Sequence, residues 1–262
     1  MSITCSTERD LQAAIAADGF AFVEGRSMRD LLAPFGSLAD WQEFAGSWDA
    51  LEIDTYMADG GRYRRRRYSA WTADRDGAVS RKPHQPHFQA IDYNPLNGGI
   101  ARWFEPIAAS IGSGPSMTAI LAFCHMLFGR LAQAAPSWEI EVHQFRIEAK
   151  KGETGRPTPE GLHRDGVDYV LVLLVNRRNI ASGMTSIHAL DGRPLGHFTL
   201  TALRWWLLFD HELKRRLEER FVSGARHPKH RVAGMSHERL VLRIRNFDRP
   251  SRRSQIRLSR RL

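Results

Sequence analysis

Cysteine is nearly missing from this 262-residue chain: Cys5 and Cys124 are the only two, and they lie far apart. That excludes a disulfide framework and a clustered zinc site, and leaves two inert thiols. Long apolar runs are also missing; nothing approaches the roughly 18 residues of a membrane span. The amino terminus has Glu8, Arg9 and Asp10 where a signal peptide would be basic and then apolar. A cytoplasmic location and no membrane partner are therefore expected. No internal repeat is present, which sets aside solenoids and propellers.

What is present is an ordinary globular composition, 42% hydrophobic and 26% charged, enough for one sizeable core. The net charge of +9 is unevenly spread. From Thr201 onward there are 17 Lys and Arg against 6 Asp and Glu, while residues 1–200 are slightly acidic. Such a tail could meet an acidic partner, but composition alone is a weak guide to partners, and nucleic acid is not expected.

The first half reads as helices with short strands. Thr7 caps an amphipathic segment that ends before Gly19, and Phe20–Val23 reads as a strand. Helical patterns cover Ser27–Phe35, Leu38–Phe44 and Ser116–Leu131, and another strand candidate spans Leu51–Tyr56. In the segment from Arg62 to Tyr68, arginines alternate along a strand, so some face solvent and others a carboxylate or anion inside the protein. Lys82–Gln89 is loop-like because its prolines exclude helix.

From Trp138 the pattern becomes that of strands. Glu139–Ile147 alternates polar and apolar; Tyr169–Val175 is a core strand; Met184–Leu190 and Leu195–Leu200 follow. Helices first and strands second argue for an α+β fold, a curled antiparallel sheet covered by amino-terminal helices. Residues 1–200 would supply the helices and most of the barrel, and the basic segment 201–262 would complete it in an atypical way.

The densest chemistry lies in Glu160-Gly161-Leu162-His163-Arg164-Asp165-Gly166, just before the core strand at Tyr169. His163 and Asp165, two positions apart at a strand mouth, point the same way and can share one metal ion. With a second histidine they make the two-histidine, one-carboxylate set that leaves one face of iron(II) open. His188 and His197, on later strands, read as packing or supporting residues. Gln144 and Arg146 share one side of their strand, where they meet either a ligand or an ordinary sheet face.

Several blocks, in order, carry a resemblance: Asp18-Gly19-Phe20, the arginine run to Tyr68, Phe88-Gln89 with Asn94–Phe104, His143-Gln144-Phe145-Arg146, Pro159–Gly166, and Ser186-Ile187-His188 with Phe198-Thr199-Leu200. Together they resemble the bacterial iron(II)/2-oxoglutarate-dependent dioxygenases that hydroxylate free L-amino acids, the isoleucine 4-hydroxylase-like and biofilm-associated group. The resemblance implies a double-stranded β-helix, or jelly roll. It also implies iron(II) and 2-oxoglutarate as cofactors, and His163 and Asp165 as the first two metal ligands.

Beyond Leu200 the chain departs from that pattern. After Phe209-Asp210, where the family's third ligand would follow, stand Lys214, Arg215, Arg216 and Leu217, and arginine does not bind iron(II). One repair is an insertion, helical by the spacing of Glu212–Phe221. His230 then becomes the third ligand, with His227 and His211 as rivals, and Arg239 pairs with the far carboxylate of 2-oxoglutarate. The other repair is a changed reading frame near Thr201, which would break the metal site. The expected activity is hydroxylation of a free L-amino acid or similar small molecule, with 2-oxoglutarate decarboxylated to succinate. Arg146 and Glu160 are candidates for the substrate's charged ends. The rival functions are a cupin-type metalloenzyme without 2-oxoglutarate, and an inactive barrel with a basic tail acting as a binding module. Neither the substrate's identity nor the oligomeric state is legible.

Overall fold

The computed structural model describes residues 5–91, 94, 96, 98–149, 166–179, 184–189, 193–199, 206–210, 215–220 and 235–246. Five α-helices lie in the first half: α1 Glu8–Asp18, α2 Gly25–Leu32, α3 Trp41–Gly46, α4 Ala109–Gly112 and α5 Pro115–Leu131. The strands are β1 Phe20–Val23, β2 Glu52–Ile53, β3 Arg64–Asp74, β4 Ser80–Arg81, β5 His87–Phe88, β6 Ala101–Arg102 and β7 Ser137–Ala149. They continue as β8 Tyr169–Arg178, β9 Met184–Ala189, β10 Pro194–Thr199, β11 Trp206–Asp210, β12 Arg215–Arg220 and β13 Met235–Asn246.

An eight-stranded antiparallel sheet runs β1-β11-β8-β13-β7-β3-β2, with β4 on β3; β10-β9-β12 form a smaller sheet and β5-β6 a hairpin. The result is an α+β jelly roll with helices against the outer face of the larger sheet. Alternation along its central strands makes the two layers. Ile140, Val142, Leu171, Leu173, Leu240 and Leu242 face outward and pack with α1 and α5 residues such as Leu11, Ile15, Ile120 and Phe123. Val170, Val172, Leu174 and Val241 face inward, meeting Phe22 and, from the smaller sheet, Ile187. Among the described residues, no helix is long and apolar enough to cross a membrane.

Local chemistry sets the ends of elements. The Thr7 hydroxyl accepts from the Asp10 amide while the Asp10 carboxylate accepts from the Thr7 amide, closing a capping box, and Gly19 ends α1 at φ 72°. The expected helix over Ser27–Phe35 starts earlier, at Gly25, and tightens to a 3-10 turn over Ala33–Phe35, which contains Pro34. The strand expected over Leu51–Tyr56 shrinks to Glu52–Ile53. Asp54 accepts from the Tyr56 amide in an Asx turn and so bends the chain away.

The chain beyond residue 200 contributes β11 and β13 to the larger sheet and β12 to the smaller one. The helical insert expected over Glu212–Phe221 is corrected: Arg215–Arg220 is a strand paired along β9, and sheet partners override the helical spacing.

Candidate functional site

The inner face of the larger sheet can be read as rows across β3, β7, β13 and β8. One row is Ala70, Glu141, Arg243 and Val170; the next is Tyr68, His143, Val241 and Val172; the third is Arg66, Phe145, Arg239 and Leu174. The β8 side of this face is aliphatic, and the β7–β3 side is polar. The β5-β6 hairpin adds His87 and Arg102, which are paired with each other's strand in register.

Four guanidiniums, those of Arg66, Arg102, Arg239 and Arg243, therefore share this side with the Glu141 carboxylate and, beside Arg66, that of Asp54. Arg66 is sandwiched between aromatic faces, 3.8 Å from the Phe104 ring centre and 4.5 Å from that of Phe145. Its partner carboxylate, Asp54, lies 3.6 Å away and is shared with Arg64 at 2.7 Å. Burial pushes the Arg66 guanidinium pKa well down, Asp54 opposes the shift, and Arg64, Arg102 and Arg243 add to it. A lining rich in buried guanidiniums attracts anions.

Glu141, with His87 and His143, is the group among the described residues with metal-ligand composition; one ligand atom from each lies within 4.8 Å of the others. The outward partners of the two imidazoles decide what it can do. Arg66 Nη2 lies 2.6 Å from His143 Nδ1, and Arg102 Nη2 lies 2.9 Å from His87 Nδ1. Arginine can only donate, so each Nδ1 accepts and each Nε2 carries the proton. A metal-bound histidine needs the reverse, a free lone pair on Nε2 and an acceptor for Nδ1–H. The atoms suit a two-histidine, one-carboxylate set, but the arginines hold both rings in the wrong tautomer for iron.

Both rings are neutral near pH 7. Burial, together with the neighbouring guanidiniums and despite Glu141, lowers His87 to about 4 and His143 well below its usual value. Burial would raise the Glu141 carboxyl, but His87 and His143 outweigh it and hold it well below the usual carboxylate range.

The expected site residues fall in different places. His163, Asp165 and His230 lie outside the described residues, as do Glu160, His211 and His227. The segment of Glu160, His163 and Asp165 rejoins the described chain at Gly166, and the Asp168 amide donates to Ile244 O as β8 begins beside β13. Arg239 is buried on the inner face of β13, across from Phe145. Arg146 and Gln144 are on the outer face: Arg146 meets Asp49 at 3.0 Å and Gln144 donates to Ser47 Oγ at 2.7 Å. Arg146 is therefore corrected from a substrate contact to a tie between sheet and helical layer. His188 follows inward-facing Ile187, so alternation turns it away from the bore; its neighbour across the sheet is Arg216.

Sequence reasoning missed His87 and Glu141. Glu141 shares the parity of His143, and a polar residue on each side of that face is the signal that could have found it. His87 has no such mark, because only the hairpin brings it there.

The 2OG-Fe dioxygenase family profile matches residues 45–225, so the match includes His163 and Asp165 and stops short of His230 and Arg239. The 3(1)-hydroxy-L-isoleucine 4-dioxygenase of Pantoea ananatis is 26% identical over 203 residues, 75% of this chain and 79% of that protein. The crystal structure of a bsmA homolog from Methylobium petroleophilum is similar at TM-score 0.81 and 30% identity, over 94% of this chain and 95% of that one. IDO from Bacillus thuringiensis shares the fold at TM-score 0.71 and 17% identity, over 92% of this chain and 99% of that one. With the profile spanning well over half of the sequence, this chain belongs to the 2OG-Fe dioxygenases, a family of enzymes that use iron(II) and 2-oxoglutarate.

Proposed function

We propose that the protein hydroxylates a free L-amino acid or a similarly small carboxylated molecule while 2-oxoglutarate is decarboxylated to succinate. The observation that carries this reading is the cationic inner face, where the Arg66, Arg102, Arg239 and Arg243 guanidiniums converge, chemistry suited to small carboxylates. The Pantoea relative, which acts on an amino acid, supports the size and class of substrate.

In this reading His163 and Asp165 hold iron(II), and His230 is the third ligand. The donor set has the right chemistry, and the segment rejoins the chain at β8, whose Val170 faces the bore. Arg239 takes the far carboxylate of 2-oxoglutarate, its planar fork matching two oxygens at once. When bound, the metal and cosubstrate use dioxygen to convert an unactivated C–H bond to C–OH, with release of succinate and CO₂. The protein's share is to orient the substrate by its charges and, through Phe22, Val170, Val172 and Ile187, to keep water from the reacting carbon. A cytoplasmic location completes the proposal.

The test is an anaerobic titration with iron(II) and 2-oxoglutarate, followed by the weak visible charge-transfer band. The band is expected in the parent protein, absent in His163→Ala and retained in His143→Gln. Loss in His143→Gln with retention in His163→Ala would assign iron to the inner-face cluster instead.

A further inference from the structure

Arginines in this protein meet carboxylates in two ways. Arg64 and Arg65 bond theirs directly, Asp54 at 2.7 Å and Glu148 at 3.0 Å. Arg66 and Arg102 instead reach Glu141 with an imidazole between. Arg66 Nη2 lies 2.6 Å from His143 Nδ1 and Arg102 Nη2 lies 2.9 Å from His87 Nδ1, so each ring accepts at Nδ1. The Nε2–H of each ring is then turned to one oxygen, Glu141 Oε2, 3.6 Å away for His87 and 4.0 Å for His143, and Glu141 is the side-chain partner of both. The Tyr68 hydroxyl donates to the other Glu141 oxygen at 3.4 Å. The two arms match in order, arginine, histidine and shared carboxylate, although Arg66 comes from β3 and Arg102 from the β5-β6 hairpin.

The interposed ring changes what the arginine can do. A carboxylate bound directly to a guanidinium takes its best donors and cancels its charge at contact distance. A neutral imidazole takes one N–H, fixes the direction of the fork and leaves its charge in place. Burial would raise the Glu141 carboxyl, but the two rings outweigh it and keep it ionised, so it polarises both rings from the far side. Arg66 also stands 3.6 Å from Asp54, which is bonded to Arg64, and the buried Arg66 Nε has no hydrogen-bond partner. Arg243, whose Nη1 stands 3.4 Å from His87 Nε2, adds a third guanidinium to the group. Cations held in this way are directed without being neutralised, which is what recognition of a small anion needs.

We propose that Glu141 is a positioning residue for the substrate's carboxylate: through His143 and His87 it holds Arg66 and Arg102, two guanidiniums from separate elements, as one clamp. This rests on the reading that the substrate is a small carboxylated molecule. Glu141 itself does not touch that substrate. The clamp makes the hairpin part of the binding machinery, since His87 and Arg102 stand opposite each other on it.

The first link is tested without any ligand. In heteronuclear NMR spectra of protein with nitrogen-labelled histidine, both rings should be Nε2–H tautomers near neutral pH. The second link is tested by calorimetric binding of the proteinogenic L-amino acids to the full chain with iron(II) and 2-oxoglutarate under anaerobic conditions, then by turnover of the best binder. Glu141→Gln keeps the shape and removes the charge. It should weaken that amino acid on the order of 30-fold, the size expected when a hydrogen bond to a charged group is lost, and raise KM alike with kcat changed less than about threefold. The charge-transfer band should form at the same 2-oxoglutarate concentration as in the parent. The pair His87→Gln with His143→Gln is the second variant and should lose a similar factor. Adding Glu141→Gln to that pair should cost little more, because Glu141 acts only through the rings. Circular dichroism reports folding of all three.

An Nδ1–H tautomer in either ring overturns the proposal, as does parent affinity in folded Glu141→Gln. So does a further loss of about tenfold or more when Glu141→Gln joins the histidine pair, the result expected if Glu141 met the substrate itself. Binding of no amino acid at all overturns it too. The oxygenase reading fails separately: if the charge-transfer band never forms, the same amino acids and variants are compared on metal-free protein, where the clamp stands or falls alone.

Discussion

The two faces of the β7–β13–β8 sheet are built from the same strands and yet obey opposite rules. Outside, Ile140, Val142, Leu171, Leu173, Leu240 and Leu242 make a continuous aliphatic layer under the helices. The polar residues there, Gln144 and Arg146, are tied to Ser47 and Asp49 at its margin. Inside, β7 and β13, with Arg66 from neighbouring β3 and His87 from the β5-β6 hairpin, gather Arg66, Arg239 and Arg243 near Glu141 and two neutral imidazoles. The outer face is satisfied by the fold alone. The inner face gathers buried charge instead, and this difference marks the functional side of the molecule more surely than any single residue.

The contrast can be broken most severely from within. Replacing Asp54 by alanine strands the buried Arg64 and Arg66 guanidiniums and should cost about 3 to 5 kcal/mol in urea unfolding. Millimolar 2-oxoglutarate should recover part of that loss, since an anion bound only by the folded state stabilises it. If the anion rescues Leu171→Ala equally well, the inner face holds no special demand for charge.

On the outer face, Leu171→Ala removes a fully buried side chain and should cost about 2 to 5 kcal/mol while leaving 2-oxoglutarate affinity unchanged. Calorimetry on the folded variant checks both halves.

Acid should separate the faces as well. His87 falls from 6.5 to about 4 on folding, so the unfolded chain takes up a proton below pH 6.5 that the folded chain refuses until near pH 4. Its stabilisation is complete above 6.5 and is lost as pH falls toward 4, about 3 kcal/mol in all. Glu141 acts in the same direction at lower pH, because its folded pKa is also depressed. Denaturation curves across that range should show the slope, and His87→Phe should flatten it. The smallest effect belongs to Arg130→Ala in the helical layer: its guanidinium is largely exposed in the pair with Glu8, so the cost is about 1 kcal/mol or less, with no change in ligand binding.

Much of this architecture was legible in the chain. The Thr7 cap, the Gly19 stop, the strand at Phe20 and the long helix to Leu131 follow from local chemistry that tertiary contacts did not override. The alternation in the run from Arg62 to Tyr68 showed that every second guanidinium would turn inward, and the structure makes these Arg64 and Arg66. The faces of β7 were harder to read. Its alternation suggested a strand with a wet side, whereas the polar side of Glu141 and His143 lines a bore and both faces are covered. Periodicity gives the parity of a residue but not what lies opposite. His87 was invisible for the same reason, since only the pairing of β5 with β6 carries it to Glu141. The segment Arg215–Arg220 read as helical because strand pairing with β9 leaves no mark in spacing.

One contact reaches across the sheet from the helical side. The Trp48 indole N–H is shared by two main-chain carbonyls, that of Phe145 at 3.0 Å and that of Arg239 at 3.2 Å, on adjacent strands. Sliding β13 along β7 would break both at once, so this cross-tie locks the alignment from behind. Side chains in the chamber can therefore be exchanged, by evolution or by design, without the scaffold slipping beneath them.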